Sequence, residues 1–425
     1  GLGLPDPDYY RRDDADARAL LGRYRSHVER VLALSGVPEA ERSARSGQIL
    51  QIEMQLANAW LGLVELRNPY HAYKPQPLRD LERRYPNLRL GDFVRAQGRR
   101  NLDTVSLAHE RYFETLNRLL GSVPLDQWQA YLRYHVANAL APHLSQGFRN
   151  AHFELYGKLL AGQAEPAPRW QQQLATLDGS IGDALGRQYV QAYLPEAARE
   201  EALAVVTGVR DAMAEALQSS TWMGTEAKAA AAEKLATLRI EVGTPRRWTD
   251  YTGLNLSRTD FAGNVLAAAA HRHRQELASI GQTTELRWRI PTQTPDLSYD
   301  LALNRLTVNA GILQAPVFTA GGDPALNYGA LGMLAGQQLT HAFDATGRTI
   351  DGTGQFRDWW TPADANGFEQ RVSPLVNQYD NYNALQGIRV NGRQTRSENI
   401  ADHGGLELAW RAFQASGAAD GPAVA

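Results

Sequence analysis

Apolar residues recur at spacings of three and four from Asp13 to about Leu217, as in Ile49, Ile52 and Leu56 followed by Trp60 and Val64. That spacing predicts a succession of helices, each burying one face. Turns with Pro or polar residues punctuate it, at Gly36-Val37-Pro38, Asn68-Pro69, Lys74-Pro75-Gln76-Pro77, Tyr85-Pro86-Asn87 and Ala164-Glu165-Pro166-Ala167-Pro168. Period-two text is scarce. Leu286–Ile290 and Leu303–Val308 are the best strand candidates, the second alternating as an edge or hairpin strand does. Near Val242-Gly243-Thr244-Pro245 the helical text gives way to a section rich in Trp, Tyr, Asp and Gly. This predicts a mostly helical domain over 1–242 and a second domain over 243–425. The fold class expected is mainly α with a small β component. No internal repeat is visible, and the one low-complexity piece is Ala415–Ala425.

Composition narrows the function classes. A chain of 425 residues exceeds one ordinary core, and 43% hydrophobic with 21% charged residues is ordinary globular usage. Lys plus Arg (44) nearly balances Asp plus Glu (46), with no basic run, so nucleic acid is not an expected partner. The absence of cysteine excludes a disulfide framework, a thiol nucleophile and Cys-ligated metal. No apolar run is long enough to span a membrane, and Gly1-Leu2-Gly3-Leu4 has none of the regions of a signal peptide. Compartment is left open by these features.

One predicted helix, around Gly329–Gly347, carries an odd polar face. Leu331, Leu334, Ala335, Leu339 and Phe343 suit a core, while Gln337, His341 and Asp344 fall at i, i+4 and i+7 on another face. Two imidazoles at i and i+4 with a Glu after the first make the zinc-binding H-E-x-x-H of a metallopeptidase. Here the text is Gln337-Gln338-Leu339-Thr340-His341. Taken alone, one His beside two neutral Gln reads as a hydrogen-bonded polar patch. Thr395-Arg396-Ser397-Glu398 likewise reads as a capping box opening a helix. His271 and His273 point different ways, and His403 leaves its helix on another face from Glu398, so none adds a ligand. No nucleotide-binding or serine-hydrolase motif occurs.

Read together, the surroundings say more. In order and spacing, Asn309-Ala310-Gly311-Ile312-Leu313-Gln314-Ala315-Pro316-Val317-Phe318, Asn327-Tyr328-Gly329-Ala330, Thr340-His341-Ala342-Phe343-Asp344, Gly347-Arg348, Asp358-Trp359-Trp360-Thr361, Gln378-Tyr379 and Glu398-Asn399-Ile400-Ala401-Asp402 resemble the catalytic half of the neprilysin-type (M13) zinc metallopeptidases. Tyr189-Val190, Trp222-Met223 and Trp248-Thr249-Asp250-Tyr251 resemble that family's approach to the catalytic region. The resemblance implies a mostly helical, two-lobed protein in which a lid lobe and a thermolysin-like catalytic lobe enclose a peptide-admitting cavity. It implies zinc ligands at positions 337, 341 and 398, a general base at 338, and an Asp402 that supports the first ligand. Two of those positions have changed: the first His is Gln337 and the base is Gln338.

Further departures accompany them. The family's N-A-Y-Y segment, which holds the substrate backbone, aligns with Asp296-Leu297-Ser298-Tyr299, so Asp296 and Leu297 are the expected substrate-binding positions. The Gly after the last His is Ala342, the second Asp of H-G-F-D-D is Ala345, and the Gly before E-N-I-A-D is Ser397. Arg396 stands where a guanidinium can reach Glu398 or Asp402, although a solvated Arg is the plainer reading. The resemblance also implies a further C-terminal stretch with a His and an Arg that stabilise the transition state, whereas 23 residues follow Asp402 here. A neutral amide is a poor zinc donor, and Gln338 cannot take a proton from water. The expectation is therefore a pseudopeptidase with no cofactor, binding a peptide or protein, with zinc present only if an active divergent metalloendopeptidase is the right alternative; a metal-free enzyme reusing the cavity is the other. The missing terminal parts of its own polypeptide, or another subunit, are expected partners, and a periplasmic or extracellular location follows from the resemblance.

Overall fold

The computed structural model describes residues 1–66, 71, 73–99, 101–281 and 288–420. Helix accounts for 64% and strand for 7%, the mainly α class expected from the spacing of apolar residues. No helix among the described residues is long and apolar enough to cross a membrane. Two compact units emerge, one formed by Gly1–Thr176 with Thr252–Gly281, the other by Leu177–Tyr251 with the described residues from Trp288 onward.

In the first unit, α1 (Ala15–Leu34), α2 (Glu39–Ala59) and α3 (Leu125–Leu140) surround a core that includes Val28, Leu32, Ile49, Ile52, Leu56 and Tyr134. Asp14 caps α1 by accepting from the Ala17 amide at 2.9 Å. On the buried stripe of α2 sits a carboxylate, Glu53, with 0% exposure. Its oxygens accept from the Gly3 amide (3.1 Å), the Tyr10 hydroxyl (3.0 Å) and the Tyr24 hydroxyl (2.9 Å), and His135 Nε2 lies 2.9 Å away. Tyr10 in turn accepts from the Leu4 amide at 2.9 Å, so one buried anion ties the first residues to the helices. Burial without those donors would be prohibitive for a carboxylate.

The second unit packs α4 (Glu196–Ser219) and α5 (Thr225–Ala236) against a three-stranded sheet and the helices that follow it. The strands are β1 (Arg239–Gly243), β2 (Leu297–Asp300) and β3 (Arg305–Asn309), in the order β1-β3-β2. β3 runs parallel to β1, with Arg239 opposite Arg305, and antiparallel to β2, with Leu297 opposite Val308. Thus the strand expected at Leu303–Val308 exists but is central, and all five of its residues are buried, not alternating. Its alternation misleads because Arg305 and Thr307, the polar members, are buried too, and Arg305 Nη1 lies 3.6 Å from the buried Glu241. Of the other strand candidate, Leu286 and Arg287 lie outside the described residues, and Trp288–Ile290 is not strand. The compositional break at Val242–Pro245 falls inside this unit, where β1 ends; α4 and α5 bury Val205, Val206, Val209 and Ala231 in the same core as Leu306 and Val308. The chain passes from one compact unit to the other after Thr176 and returns at Thr252.

After β3 the chain forms α6 (Met333–His341), α7 (Pro362–Asp380) and α8 (Gly392–Ala415). A π-helical turn, Tyr328–Gly332, precedes α6, and Leu331, Ala335, Leu339 and Phe343 are buried as their spacing predicts. Lys234 on α5 is 1% exposed and donates to the carbonyls of Gly347 (2.8 Å) and Ile350 (2.7 Å), holding the loop after α6. Burial lowers its pKa from the ordinary 10.5 to about 8. Between those values the folded chain binds fewer protons than the unfolded one, so the penalty for burying this charge is full below about pH 8 and fades as pH rises. Relative to a Lys234→Met reference, the wild type should gain on the order of 2 kcal/mol between pH 7 and pH 10 in urea denaturation. Parallel curves for the two proteins would refute this.

Candidate functional site

The site lies where α6 and α8 meet almost backbone to backbone. A Cβ on Gly336 would come within 2.9 Å of Gly405 Cα, and one on Gly405 would come within 2.7 Å of the Gln337 amide nitrogen. Only glycine at both places permits that approach, and it sets the register between the helices. Beside this contact 337 faces 402, and a step of four residues along each helix, in opposite directions, brings 341 to 398. Gln337 Nε2 donates to Asp402 Oδ1 at 2.8 Å, and His341 Nε2 lies 3.4 Å from Glu398 Oε2.

α8 begins earlier than the Thr-x-x-Glu pattern suggests. Its N-cap is Asn391, whose side chain accepts from the Gln394 amide at 2.9 Å, so Glu398 is an interior residue and not part of a capping box. α6 in turn ends at His341, and Asp344 sits in the turn beyond it, not on the helix face predicted from i+7 spacing. The polar grouping survives by another route. Asp344 is buried, accepts from the amides of Thr346 and Gly347 at 2.8 Å each, and approaches His341 Nδ1 at 3.2 Å.

Ser397 completes this cluster, and nothing in the residue pattern points to it beyond its standing where the resembled family has Gly. Its hydroxyl donates to Asp344 Oδ2 at 2.7 Å and lies 3.4 Å from His341 Nδ1. A Ser-His-Asp triad needs the Ser proton directed at the imidazole, with the carboxylate on the other ring nitrogen. Here the Ser proton is committed to Asp344, and one ring nitrogen faces both. Hydrogen bonding to Asp344 is the main cause of a raised His341 pKa, against the opposing effect of burial. For Asp344 burial raises the pKa, but His341, the Gly347 amide and Ser397 outweigh it and the net shift is downward.

Gln338 reaches the sheet. Its Oε1 accepts from the Tyr299 backbone amide at 3.0 Å. β2 is an edge strand, and residues alternate between bonding to β3 and facing outward. The outward edge of β2 is thus partly occupied by the chain's own side chain at Tyr299. Asp296 precedes β2: its carbonyl accepts from the Asn309 amide at 3.0 Å, while its carboxylate Oδ2 is buried without a hydrogen-bond partner among the described residues. Leu297 turns its side chain into the core. Arg396 points elsewhere and pairs with both oxygens of Glu369 at 2.9 and 3.0 Å. His271 and His273 belong to the first unit, bonded to Gln275 and Gln97 at 2.8 Å each.

Zinc at catalytic sites is held by three protein ligands drawn from His, carboxylate and thiolate. At the three corresponding positions the structure offers one imidazole, one carboxylate and a Gln337 amide whose nitrogen is bound to Asp402 and whose oxygen faces Gln338 Nε2 at 3.4 Å. Among the described residues no group of three His, Cys, Asp or Glu is placed to hold a metal. The donor set does not fit zinc.

The sequence matches two family models, each described as peptidase family M13, over residues 1–245 and 298–425. The chain belongs to peptidase family M13. It is 28% identical to Neprilysin-3 of Drosophila melanogaster over 97% of this chain and 55% of that protein. To human endothelin-converting enzyme-like 1 it is 30% identical, over 97% of this chain and 54% of that protein. It therefore spans about half the length of the curated relatives it matches. In structure it is similar to the zinc metalloprotease ZMP1 of Mycobacterium tuberculosis, solved with an inhibitor (TM-score 0.91, 30% identity, 99% of this chain and 64% of that one). PepO from Lactobacillus rhamnosis is similar as well (TM-score 0.89, 27% identity, 97% and 66%).

Proposed function

We propose that this M13 chain binds a peptide or protein and does not act as a zinc peptidase. The observation that carries the proposal is that neutral Gln amides stand at the family's first ligand position and at its base position and are hydrogen-bonded within the chain. Gln337 bonds Asp402, His341 lies between Asp344 and Glu398, and Gln338 bonds the Tyr299 amide. A metal-ligating imidazole also keeps a carboxylate on its other nitrogen, so it is not the contacts of His341 but the amide at 337, in place of an imidazole, that speaks against a metal. Gln338 lacks the basicity to take a proton from water, which by itself removes about 10²- to 10⁴-fold of rate assistance. Peptide binding needs neither group, because a sheet edge recruits an extended chain through backbone hydrogen bonds and side-chain pockets. A scaffolding role alongside the parts of the longer relatives that this chain does not span, and a periplasmic or extracellular setting, accord with this reading.

The test incubates the chain with a mixture of quenched fluorescent peptides, with added zinc and with chelator. No chelator-sensitive cleavage is expected, while unquenched labelled peptides should show saturable anisotropy changes. Cleavage that zinc supports and chelator abolishes would establish the chain as a divergent metalloendopeptidase. Chelator-indifferent cleavage would point to a metal-free enzyme.

A further inference from the structure

A cavity of about 560 Å³ opens within the first unit, in the size range of small-molecule sites. One wall is the helix Gln146–His152 running directly into a π-helix, Phe153–Leu160. π-Helical turns are rare and concentrate at functional sites. The distortion is locked in place: Gly157 packs so closely that a Cβ there would meet the Phe153 ring at 2.5 Å, and its carbonyl accepts from the Gln163 amide at 2.9 Å.

Four aromatic rings line this cavity: His143, His152, Phe153 and Tyr156. The His152 and Tyr156 rings lie 4.6 Å apart with a 34° tilt. Nδ1 of both histidines is buried without a hydrogen-bond partner among the described residues. Protonation would place a charge and an unsatisfied N–H in that buried setting, so both rings are neutral, and burial lowers both pKa values accordingly.

The charge in the cavity comes instead from Arg149 and Arg169. Arg149 donates to the Leu144 carbonyl at 2.7 Å and the Gln146 side chain at 3.2 Å, and Arg169 lies against the Gln173 side-chain amide, whose oxygen accepts from it at 2.8 Å when the amide is turned to face the guanidinium. All of these partners are neutral, and among the described residues no Asp or Glu lines the cavity. Two guanidiniums without a carboxylate beside them, next to flat aromatic walls, match a ligand with a planar apolar body and one negative group.

We infer that this cavity is a binding site for a small aromatic carboxylate, held by its ring among His143, His152, Phe153 and Tyr156 and by its carboxylate at Arg149 and Arg169. The probes are 2-naphthoate, its neutral counterpart 2-naphthamide, and inorganic phosphate, titrated calorimetrically into the full chain. Naphthoate should bind with a Kd below about 1 mM, and naphthamide at least about tenfold more weakly, the loss expected for one charge-assisted hydrogen bond. Arg169→Met, at an exposed helix start, should weaken naphthoate binding at least about tenfold with an unchanged thermal midpoint, and His152→Leu should weaken acid and amide alike. Equal affinity for acid and amide, binding indifferent to Arg169→Met, phosphate binding in place of naphthoate, or no binding at all would each overturn the assignment.

Discussion

Replacing Gln337 by His and Gln338 by Glu together is expected to raise zinc affinity by more than about 100-fold, since even the loss of a supporting partner outside the ligand set costs about 10- to 100-fold. The first change places a second imidazole one helical turn before His341, on the same face of α6. The surroundings suit it, because Asp402 Oδ1 already accepts from the Gln337 amide at 2.8 Å and can accept from an imidazole N–H. Glu398 stands 3.4 Å from His341 Nε2 and supplies the carboxylate of a two-His, one-Glu set. The second change leaves the Tyr299 amide with an oxygen acceptor, so the link to β2 at 3.0 Å persists. Calorimetric titration of zinc into chelator-treated proteins decides the matter. Wild-type affinity equal to that of the double variant would mean that the two Gln do not disable the site. Turnover is expected to stay poor even with zinc bound, because Asp296 stands where the resembled family holds substrate with Asn.

Glu53→Leu should destabilise the first unit by about 3–5 kcal/mol, the range seen when one partner of a buried charged network is removed. Leu preserves an apolar stripe beside Ile49, Ile52 and Leu56, so the loss would not come from helix propensity. It comes from the donors left behind: the Gly3 amide and the Tyr10 and Tyr24 hydroxyls each lose an acceptor in a buried site. Glu53→Gln, which keeps one acceptor oxygen, should cost roughly half as much. Urea midpoints followed by near-ultraviolet dichroism, which reports the Tyr packing of this cluster, would measure both. A stabilised Glu53→Leu protein would show that the carboxylate is tolerated, not required.

Much of the helical architecture is legible in the sequence because amphipathic spacing is a local property, repeated every turn wherever a helix buries one face. The buried faces of α2 and of α6 with the π-helical turn before it follow directly from Ile49, Ile52 and Leu56 and from Leu331, Ala335 and Leu339. Glu53 leaves a signal too, a charged residue inside that stripe one turn after Ile49, but apolar spacing alone does not register it. The strand at Arg305–Asn309 is legible while its central place is not, since polar Arg305 and Thr307 read as solvent-facing when their buried partners lie far along the chain. Capping at Thr395–Glu398 fails for a similar reason. A four-residue pattern cannot announce that Asn391 has already started the helix.

At the candidate site, the residue types at 337, 338, 341, 398 and 402 come from the sequence alone, and with them the poverty of the donor set, because ligand chemistry belongs to the side chain itself. Their partners are decided only in three dimensions. Gly336 and Gly405 are 69 positions apart in the numbering, and only the close approach of α6 and α8 turns them into a register that sets Gln337 on Asp402 and His341 beside Glu398. Gln338 likewise gains its role from β2, through a backbone amide that any residue at 299 other than proline would supply. Composition and spacing determine what each side chain is able to do; long-range packing determines which neighbour it does it with, because hydrogen bonds depend on distances of a few tenths of an ångström that no local pattern encodes.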